Sequence, residues 1–228
     1  MSKFDTILFD VDGTLLDFDK TEKEALENTF RDLGIEPTES NFSAYIEANT
    51  LLWAMLERGE IEKGKLKTER FRIFLNKINK NVDVNLASDT YINHLSNSYF
   101  IIDGAIEICR KLKKKFSLAI VTNGIAEVQK SRAALSGLSE IFNYSFISED
   151  VGHAKPHIEY FNYVFEKLKI KNPEKVLIVG DSLTSDIKGG NNAGIKTCWY
   201  NPEQKANDTD SICDYEIKSL YEIEDILY

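Results

Sequence analysis

The sequence predicts an α/β fold: a Rossmann-like three-layer core built on a parallel sheet, with an all-α helical bundle inserted after the first strand. Short apolar runs alternate with amphipathic helical patterns after residue 100, as they do in consecutive βαβ units. Residues 16–99 contain helical patterns and no convincing strand. We therefore assign residues 1–15 and 100–228 to the α/β core and residues 16–99 to a helical domain.

The strands of the core are predicted from short apolar runs rich in β-branched residues. The first is Phe4–Phe9, which leads into the polar run Asp10–Thr14. The later strands are predicted at Phe116–Val121, Tyr144–Ile147, Val176–Val179 and Thr197–Tyr200. Helical spacing predicts three helices between them, with stripes at Ala105, Ile108, Cys109 and Leu112, at Ile125, Val128, Arg132 and Leu135, and at Ile158, Phe161, Phe165 and Leu168.

The inserted domain is predicted to hold four helices. Their stripes run over Leu26–Leu33, Phe42–Leu56, Phe71–Ile78 and Leu86–Tyr99. Thr21 and Glu24 have the spacing of a capping box, which places the start of the first helix at Thr21. We interpret the aromatic residues of these stripes as core rather than as a binding surface.

The charge balance restricts the possible partners. The chain has 28 Lys and Arg residues against 37 Asp and Glu residues, a net charge of −9. This argues against a nucleic-acid polymer, whose binding depends on Lys and Arg that neutralise phosphates. No apolar run reaches the length of a membrane span, and Asp5 and Asp10 interrupt the apolar region that a signal peptide needs, so we expect no membrane partner and a cytoplasmic protein. The sequence does not indicate an oligomeric state.

Polar residues follow the predicted strands at the points where the strands end. Asp10 and Asp12 follow the first strand, Thr122–Gly124 end the second, Asp181 follows the fourth, and Lys155 comes soon after the third. In open α/β sheets, ligands bind beyond the carboxyl ends of the strands. We therefore expect these four segments to form one site.

The three aspartates point to a metal and to phosphoryl chemistry. Carboxylates gathered without compensation repel one another, and a divalent cation relieves that repulsion. An all-oxygen site favours Mg²⁺, which usually binds one or two carboxylates, several waters and a substrate phosphate. The predicted substrate is therefore a phosphate ester. Asp10 is the candidate nucleophile, and Asp12 is the candidate acid that protonates the leaving oxygen and later activates water.

The remaining groups suit a phosphoryl anion. Thr122 offers a hydroxyl, the backbone N–H groups of Asn123 and Gly124 lie at a helix entrance, and Lys155 neutralises charge. Each of them has an ordinary explanation when it stands alone. Thr122 and Asn123 would then be turn residues, and Lys155 would be a surface lysine.

At these positions the sequence resembles the haloacid dehalogenase-like (HAD) phosphohydrolases, in the group that carries a helical cap. The motifs of that family are matched in order by Asp10–Thr14, Val121–Gly124, Ala154–Pro156 and Gly180–Asp186. The inserted helices stand where that group carries its cap, so the resemblance covers the whole chain. The segment Gly180–Pro202 is especially similar to the pyrimidine 5'-nucleotidase branch.

The resemblance implies a role for each aspartate. Asp10 is expected to be the nucleophile that carries the aspartyl-phosphate, and Asp12 the acid and base. The Mg²⁺ ligands are expected to be Asp10, Asp181 and the backbone carbonyl of Asp12, with Asp186 acting through water. Alone, Asp186 could instead cap or solvate a helix. Because phosphatases and phosphomutases of the family keep an aspartate two residues after the nucleophile, we expect a phosphatase, with a mutase as the lesser alternative.

The substrate expected from the resemblance is a pyrimidine nucleoside 5'-monophosphate. Another small ester, such as phosphoglycolate or a sugar phosphate, is the alternative. Residues 57–80 are locally basic, and Arg70 or Lys65 is a candidate contact to the distal part of the substrate. Trp53 or Phe71 is a candidate for stacking on a base. The same basic run is also explained as the solvated face of a helix.

Two other classes of protein remain as alternatives to an enzyme. A phosphoacceptor signalling module also gathers aspartates, a threonine and a lysine at strand ends, although such modules are shorter and lack an inserted helical unit. A non-catalytic binding protein on this scaffold would have little need for every motif group. The sequence therefore favours an enzyme, and turnover of an aryl phosphate would separate it from a signalling module.

Overall fold

The chain forms two compact units in the computed structural model, which describes residues 3–227. The first unit contains the residues up to Phe18 and those from Phe100 onward, and the second is Asp19–Tyr99. The first boundary lies at Phe18 rather than at the predicted residue 15. The chain stays in the first unit beyond residue 15 because Leu16 is fully buried in that unit's core.

The first unit is built on a six-stranded sheet in which every pair of neighbouring strands is parallel, as the sequence predicted. The strands are β1 (Thr6–Phe9), β2 (Ser117–Thr122), β3 (Tyr144–Ile147), β4 (Val176–Gly180), β5 (Lys196–Tyr200) and β6 (Tyr215–Ile217). Their order across the sheet is β3-β2-β1-β4-β5-β6. The edge strand β6 was not predicted, because three residues with one buried side chain, Ile217, are too few to show a strand pattern.

The second unit contains the four predicted helices. They are α1 (Phe18–Asp32), α2 (Glu39–Glu57), α3 (Lys63–Lys77) and α4 (Val84–Asn97). Aromatic rings fill its interior: Tyr45 lies within 5.2–5.9 Å of Phe71, Phe74 and Tyr91, measured between ring centroids. The predicted capping box at Thr21 is wrong. No residue in the Phe18–Lys20 stretch breaks a helix, so α1 begins at Phe18 and Thr21 is buried within it.

Helices cover both faces of the sheet in the first unit and complete the three layers. They are α5 (Ala105–Leu112), α6 (Ala126–Leu135), α7 (Leu138–Ile141), α8 (Ser148–Val151), α9 (Ile158–Leu168), α10 (Lys188–Asn192) and α11 (Ile223–Leu227). Side chains of β1 alternate between two cores, since Ile7 and Phe9 pack with α5 and α11 whereas Leu8 packs with α9. Of the described helices, none has both the length and the apolar character that crossing a bilayer requires.

Candidate active site

The carboxyl ends of the three central strands bring the predicted segments together. Strand β1 lies between β2 and β4, and Phe9 is in register with both Ile120 and Val179. Asp10 follows Phe9 directly and donates its backbone N–H to the Val179 carbonyl at 2.9 Å. The next residues of β2 and β4 therefore carry Thr122 and Asp181 to the same edge as Asp10.

Three carboxylates gather at this edge. One oxygen atom from each of Asp10, Asp181 and Asp186 lies within 4.8 Å of the others. Asp186 belongs to a π-helical turn, Leu183–Ile187, that follows β4, and Ser182 caps this turn by accepting the Ser185 N–H at 3.2 Å. Asp186 is 1 % exposed, and its Oδ2 accepts the backbone N–H of Ser182 at 3.1 Å. Its burial excludes the alternative of a solvated residue, and its closeness to Asp10 and Asp181 makes it part of the cluster.

Lys155 joins two of these carboxylates. Its Nζ donates to Asp10 Oδ1 at 2.5 Å, to Asp186 Oδ1 at 2.6 Å and to the Val121 carbonyl at 2.8 Å. Lys155 is 1 % exposed, so the alternative of a surface lysine is wrong. An ammonium group has three N–H donors, and all three are used here within the protein. The arrangement makes Lys155 a buried counter-charge for Asp10 and Asp186; its predicted contact with a phosphoryl group stays a prediction.

The cluster raises the pKa values of its acids. Burial raises the pKa of Asp10, and the carboxylates of Asp186 and Asp181 raise it further against the opposing effect of Lys155. Desolvation and the neighbouring Asp186 carboxylate raise the pKa of Asp181 to about 7. Burial alone would lower the pKa of Lys155, but Asp10 and Asp186 outweigh it and hold that pKa above its ordinary value. The protein groups thus leave an excess of negative charge at this edge.

The donor set fits a hard divalent cation. The three clustered side chains offer oxygen atoms only, and Mg²⁺ takes oxygen ligands. Gly13 lets the chain pass close to the cluster: its φ is +83°, and a Cβ atom there would lie 2.4 Å from Asp181 Oδ2. Thr14 donates its hydroxyl to Asp181 Oδ1 at 3.3 Å. These contacts orient Asp181. The cluster contains three carboxylates and one lysine, so a divalent cation would balance its negative charge.

The second strand supplies a linked set of polar groups. Thr122 is 1 % exposed, and its Oγ1 accepts the backbone N–H of Gly124 at 3.0 Å. Asn123 forms a reciprocal pair with the backbone of Lys155, donating from Nδ2 to the carbonyl at 2.8 Å and accepting the N–H on Oδ1 at 2.9 Å. Asn123 therefore ties the end of β2 to the segment that carries Lys155. The predicted binding of a phosphoryl group by Thr122, Asn123 and Gly124 stays a prediction.

The Asp12 carboxylate is held by helix α6. Its Oδ2 accepts a hydrogen bond from Gln129 Nε2 at 2.5 Å, and its Oδ1 accepts one from Arg132 Nη1 at 2.5 Å. Neither residue was predicted to belong to the site. A signal for one of them was present, because Arg132 stands in the apolar stripe that Ile125 and Val128 begin.

The residues proposed in the helical unit lie in different surroundings. Arg70 is 2 % exposed; its Nη1 donates to Asn49 Oδ1 at 3.2 Å and its guanidinium carbon lies 4.7 Å from the centroid of the Tyr91 ring. Phe71 is fully buried in the aromatic interior, whereas Lys65 is exposed and Trp53 is half-buried. A substrate contact by Arg70 stays a prediction, and the structure places this residue inside a polar network of the helical unit.

Comparison with known proteins gives a family match over most of the chain. Residues 4–194 match the haloacid dehalogenase-like hydrolases. The chain is 41 % identical over 227 residues to the HAD-hydrolase YfnB of Bacillus subtilis (strain 168), covering 100 % of this chain and 97 % of YfnB. The structure is similar to the crystal structure of YfnB bound to magnesium, with a TM-score of 0.92 over 99 % of each chain.

Two further relatives carry a more specific name. The pyrimidine 5'-nucleotidase PynA of Streptococcus pneumoniae (strain ATCC BAA-255 / R6) is 36 % identical over 222 residues, covering 97 % of this chain and 94 % of PynA. The pyrimidine 5'-nucleotidase YjjG of Escherichia coli (strain K12) is 32 % identical over 225 residues, covering 99 % of this chain and 98 % of YjjG. The similarity thus extends over nearly the full length of both.

Proposed function

Because this chain belongs to the haloacid dehalogenase-like hydrolases, we propose that it is a Mg²⁺-dependent nucleoside 5'-monophosphate phosphatase that acts through an aspartyl-phosphate on Asp10. Its relatives with assigned activities include phosphatases, and the chain is a HAD-family phosphatase. A phosphoacceptor signalling module, one of the alternatives considered from the sequence, is thereby set aside. The nucleotide specificity, the metal and the covalent intermediate are the parts that we propose.

One observation carries the proposed chemistry: Lys155 bridges Asp10 and Asp186 beside Asp181 at the carboxyl edge of the sheet. The bridge holds Oδ1 of Asp10, and we propose that the other oxygen, Oδ2, attacks phosphorus. A nucleophilic carboxylate must be ionised. Burial and the neighbouring carboxylates raise the pKa of Asp10, and the Lys155 ammonium group opposes that rise. A buried lysine with two carboxylate partners is thus a device that orients the nucleophile.

In the first step, an oxygen of Asp10 forms a bond to phosphorus while the bond between phosphorus and the ester oxygen breaks. Asp12 transfers its proton to that ester oxygen, so the product leaves as an alcohol. In the second step, Asp12 takes a proton from water, and the water oxygen bonds to phosphorus while the bond to Asp10 breaks. Inorganic phosphate leaves, and both aspartates return to their starting protonation states.

The metal would be held by Asp10, Asp181 and the backbone carbonyl of Asp12, with Asp186 acting through water. When bound, it neutralises charge on the equatorial phosphoryl oxygens and on the clustered carboxylates. The support for this assignment is the all-oxygen donor set with its excess negative charge. A relative that is 41 % identical to this chain is magnesium-bound in its crystal structure.

Removal of the metal is expected to stop turnover. Treatment with EDTA should lower the rate of phosphate release by about 100-fold or more, and excess Mg²⁺ should restore it, because the metal supplies several kcal/mol of charge stabilisation. Calorimetric titration should show weaker Mg²⁺ binding for Asp181→Asn than for the wild type. Asp208→Asn, at an exposed position, is the matched control and should bind Mg²⁺ normally. Full activity in EDTA would contradict the metal assignment.

The proposed substrate class rests on the relatives. Two full-length relatives are named pyrimidine 5'-nucleotidases, and we extend that specificity to this chain. The two reaction steps are the same whatever group is attached to the ester oxygen. The nucleotide assignment can therefore fail while the phosphatase assignment stands.

A substrate profile tests the nucleotide assignment. Phosphate release should be measured with uridine and thymidine 5'-monophosphates, purine nucleotides, phosphoglycolate and sugar phosphates. We expect kcat/KM for the pyrimidine nucleotides to exceed that for the other esters by about tenfold or more, since a site that hydrogen-bonds a base rejects ligands without it. Equal values for all esters would exclude a nucleotidase, and a preference for phosphoglycolate or a sugar phosphate would support the alternative substrate.

A further inference from the structure

Helix α6 presents two polar side chains to one carboxylate of the site. Gln129 and Arg132 are three residues apart, and such residues lie on the same face of a helix. Each donates to a different oxygen of Asp12, both at 2.5 Å. Two donors on two oxygens fix the rotation of the carboxylate about its own axis. The Asp12 side chain nevertheless remains 24 % exposed, so it can reach a bound ligand.

Arg132 is an unusual residue for the interior of this helix. It is completely buried, and within residues 3–227 its Nε and Nη2 atoms have no hydrogen-bond partner. Among the described residues, Asp12 balances the charge of Arg132 through an ion pair. The guanidinium carbon of Arg132 also lies 5.8 Å from the centroid of the Phe18 ring. An arginine buried with so few partners is costly. A role in the site explains its presence better than a contribution to stability does.

The Gln129 amide occupies space that a side chain at position 124 would fill. It is 4 % exposed, and a Cβ atom on Gly124 would lie 2.1 Å from its Nε2 atom. A residue other than glycine at position 124 would therefore push the Gln129 amide away from Asp12. The glycine at position 124 thus leaves room for the Gln129 amide beside Asp12, where its Nε2 donates to Oδ2.

We infer that Gln129 and Arg132 are positioning residues, which hold the Asp12 side chain in the orientation for proton transfer to the ester oxygen. The observed ion pair is the form that Asp12 has after it gives up its proton and before it takes one from water. This inference rests on the proposed role of Asp12 as the acid. Neither side chain is assigned to contact the substrate. Their effect on the reaction passes through Asp12, and it scales with how much the leaving group needs a proton.

The leaving group provides the test. A nucleoside or another alcohol leaves poorly without a proton, whereas 4-nitrophenolate leaves well as an anion. In both cases kcat/KM reports the steps up to formation of the aspartyl-phosphate. The substrates to compare are 4-nitrophenyl phosphate and the alkyl phosphate with the highest kcat/KM in the substrate profile.

We expect Arg132→Met and Gln129→Leu to lower kcat/KM for the alkyl phosphate by about 10- to 100-fold, part of the usual contribution of a general acid. For 4-nitrophenyl phosphate the decrease should stay within about threefold. In an Asp12→Asn background, Arg132→Met should have no further effect on the alkyl phosphate, because its target is gone. Arg132→Lys should recover part of the activity. Lys130→Ala, an exposed residue of the same helix, is the control and should match the wild type.

The outcomes separate the inference from the proposed function. An equal decrease for both esters in Arg132→Met and Gln129→Leu, with Asp12→Asn still selective for the alkyl ester, would overturn the positioning role alone. An Asp12→Asn variant without that selectivity would remove the acid role of Asp12, and the inference with it. Circular dichroism and thermal unfolding show whether each variant is folded. If Arg132→Met does not fold, Gln129→Leu provides the same comparison between the two esters.

Discussion

Asp10→Asn is expected to lower kcat for phosphate release by on the order of 10⁴-fold or more, which is the scale seen when a catalytic nucleophile is removed. The asparagine keeps the shape of the side chain, and its carbonyl oxygen can still accept the hydrogen bond from Lys155 that Asp10 Oδ1 accepts now. An amide oxygen cannot form the covalent ester with phosphorus that the proposed mechanism requires. The loss should therefore be chemical, with the fold and substrate binding retained.

Covalent labelling and a matched control variant test this prediction. Wild-type enzyme quenched with acid during turnover of a radiolabelled ester should carry covalent label, and Asp10→Asn should carry none. Asp5→Asn, the same substitution at an exposed position just before β1, is the matched control and should keep normal activity. Activity of Asp10→Asn within tenfold of the wild type would mean that water attacks the substrate directly and that Asp10 is not the nucleophile.

The edge of the sheet that holds the site was predictable from local patterns. The runs that became β1, β2 and β4 each end next to a polar residue, at Asp10, Thr122 and Asp181. In a parallel sheet these ends lie at one edge whatever the order of the strands. Oxygen atoms of Asp10 and Asp181 come within 4.8 Å of each other because β1 and β4 are neighbours in the sheet, and local patterns do not show that order.

The side-chain contacts within the site could not be predicted from the positions of the strand ends. A lysine is almost always solvated, and its burial depends on which partners the fold supplies. Nothing near Lys155 in the sequence shows that its ammonium group meets two carboxylates and the Val121 carbonyl. Those partners come from three separate segments, so only the assembled sheet determines the protonation and orientation of the group.

The burial of two arginines was not predicted either, although the sequence contains a local signal for it. Arg132 follows Ile125 and Val128 in a stripe of apolar positions, and Arg70 stands four residues from both Leu66 and Phe74 on the buried face of α3. Both arginines are buried, at 0 % and 2 % exposure. A charged residue at an apolar position of an amphipathic helix indicates a buried polar network, whereas Arg70 was interpreted as part of a basic run and not as a residue of the buried face.

Replacing Lys155 is expected to have the largest effect on stability. Lys155→Met keeps much of the side-chain volume but leaves Asp10 and Asp186 buried without their shared cation. Breaking a buried ion pair by removing one partner typically costs about 3–5 kcal/mol, because the remaining charge is uncompensated. We expect a loss of that size in the free energy of unfolding, measured by urea denaturation at neutral pH in EDTA.

The control is a lysine whose ion pair is exposed. Lys188 contacts Asp210 at 2.6 Å, yet the two side chains are 36 % and 80 % exposed. Pairs in such surroundings contribute about 0–1 kcal/mol, so Lys188→Met should change the free energy of unfolding by no more than that. A similar small change for Lys155→Met would show that the carboxylates are relieved by some other means.

Neutralising the carboxylates separates charge from packing in this cluster. When Asp10→Asn and Asp186→Asn are added to Lys155→Met, no charge is left without a partner at either position, and each asparagine has nearly the shape of the aspartate it replaces. If the cost of Lys155→Met comes from uncompensated charge, the triple variant should regain most of the lost stability. If it comes from lost packing around the lysine stem, the triple variant should remain as unstable as the single one. The first result would mean that the ion cluster serves the chemistry of Asp10, since a neutral cluster would hold the fold equally well.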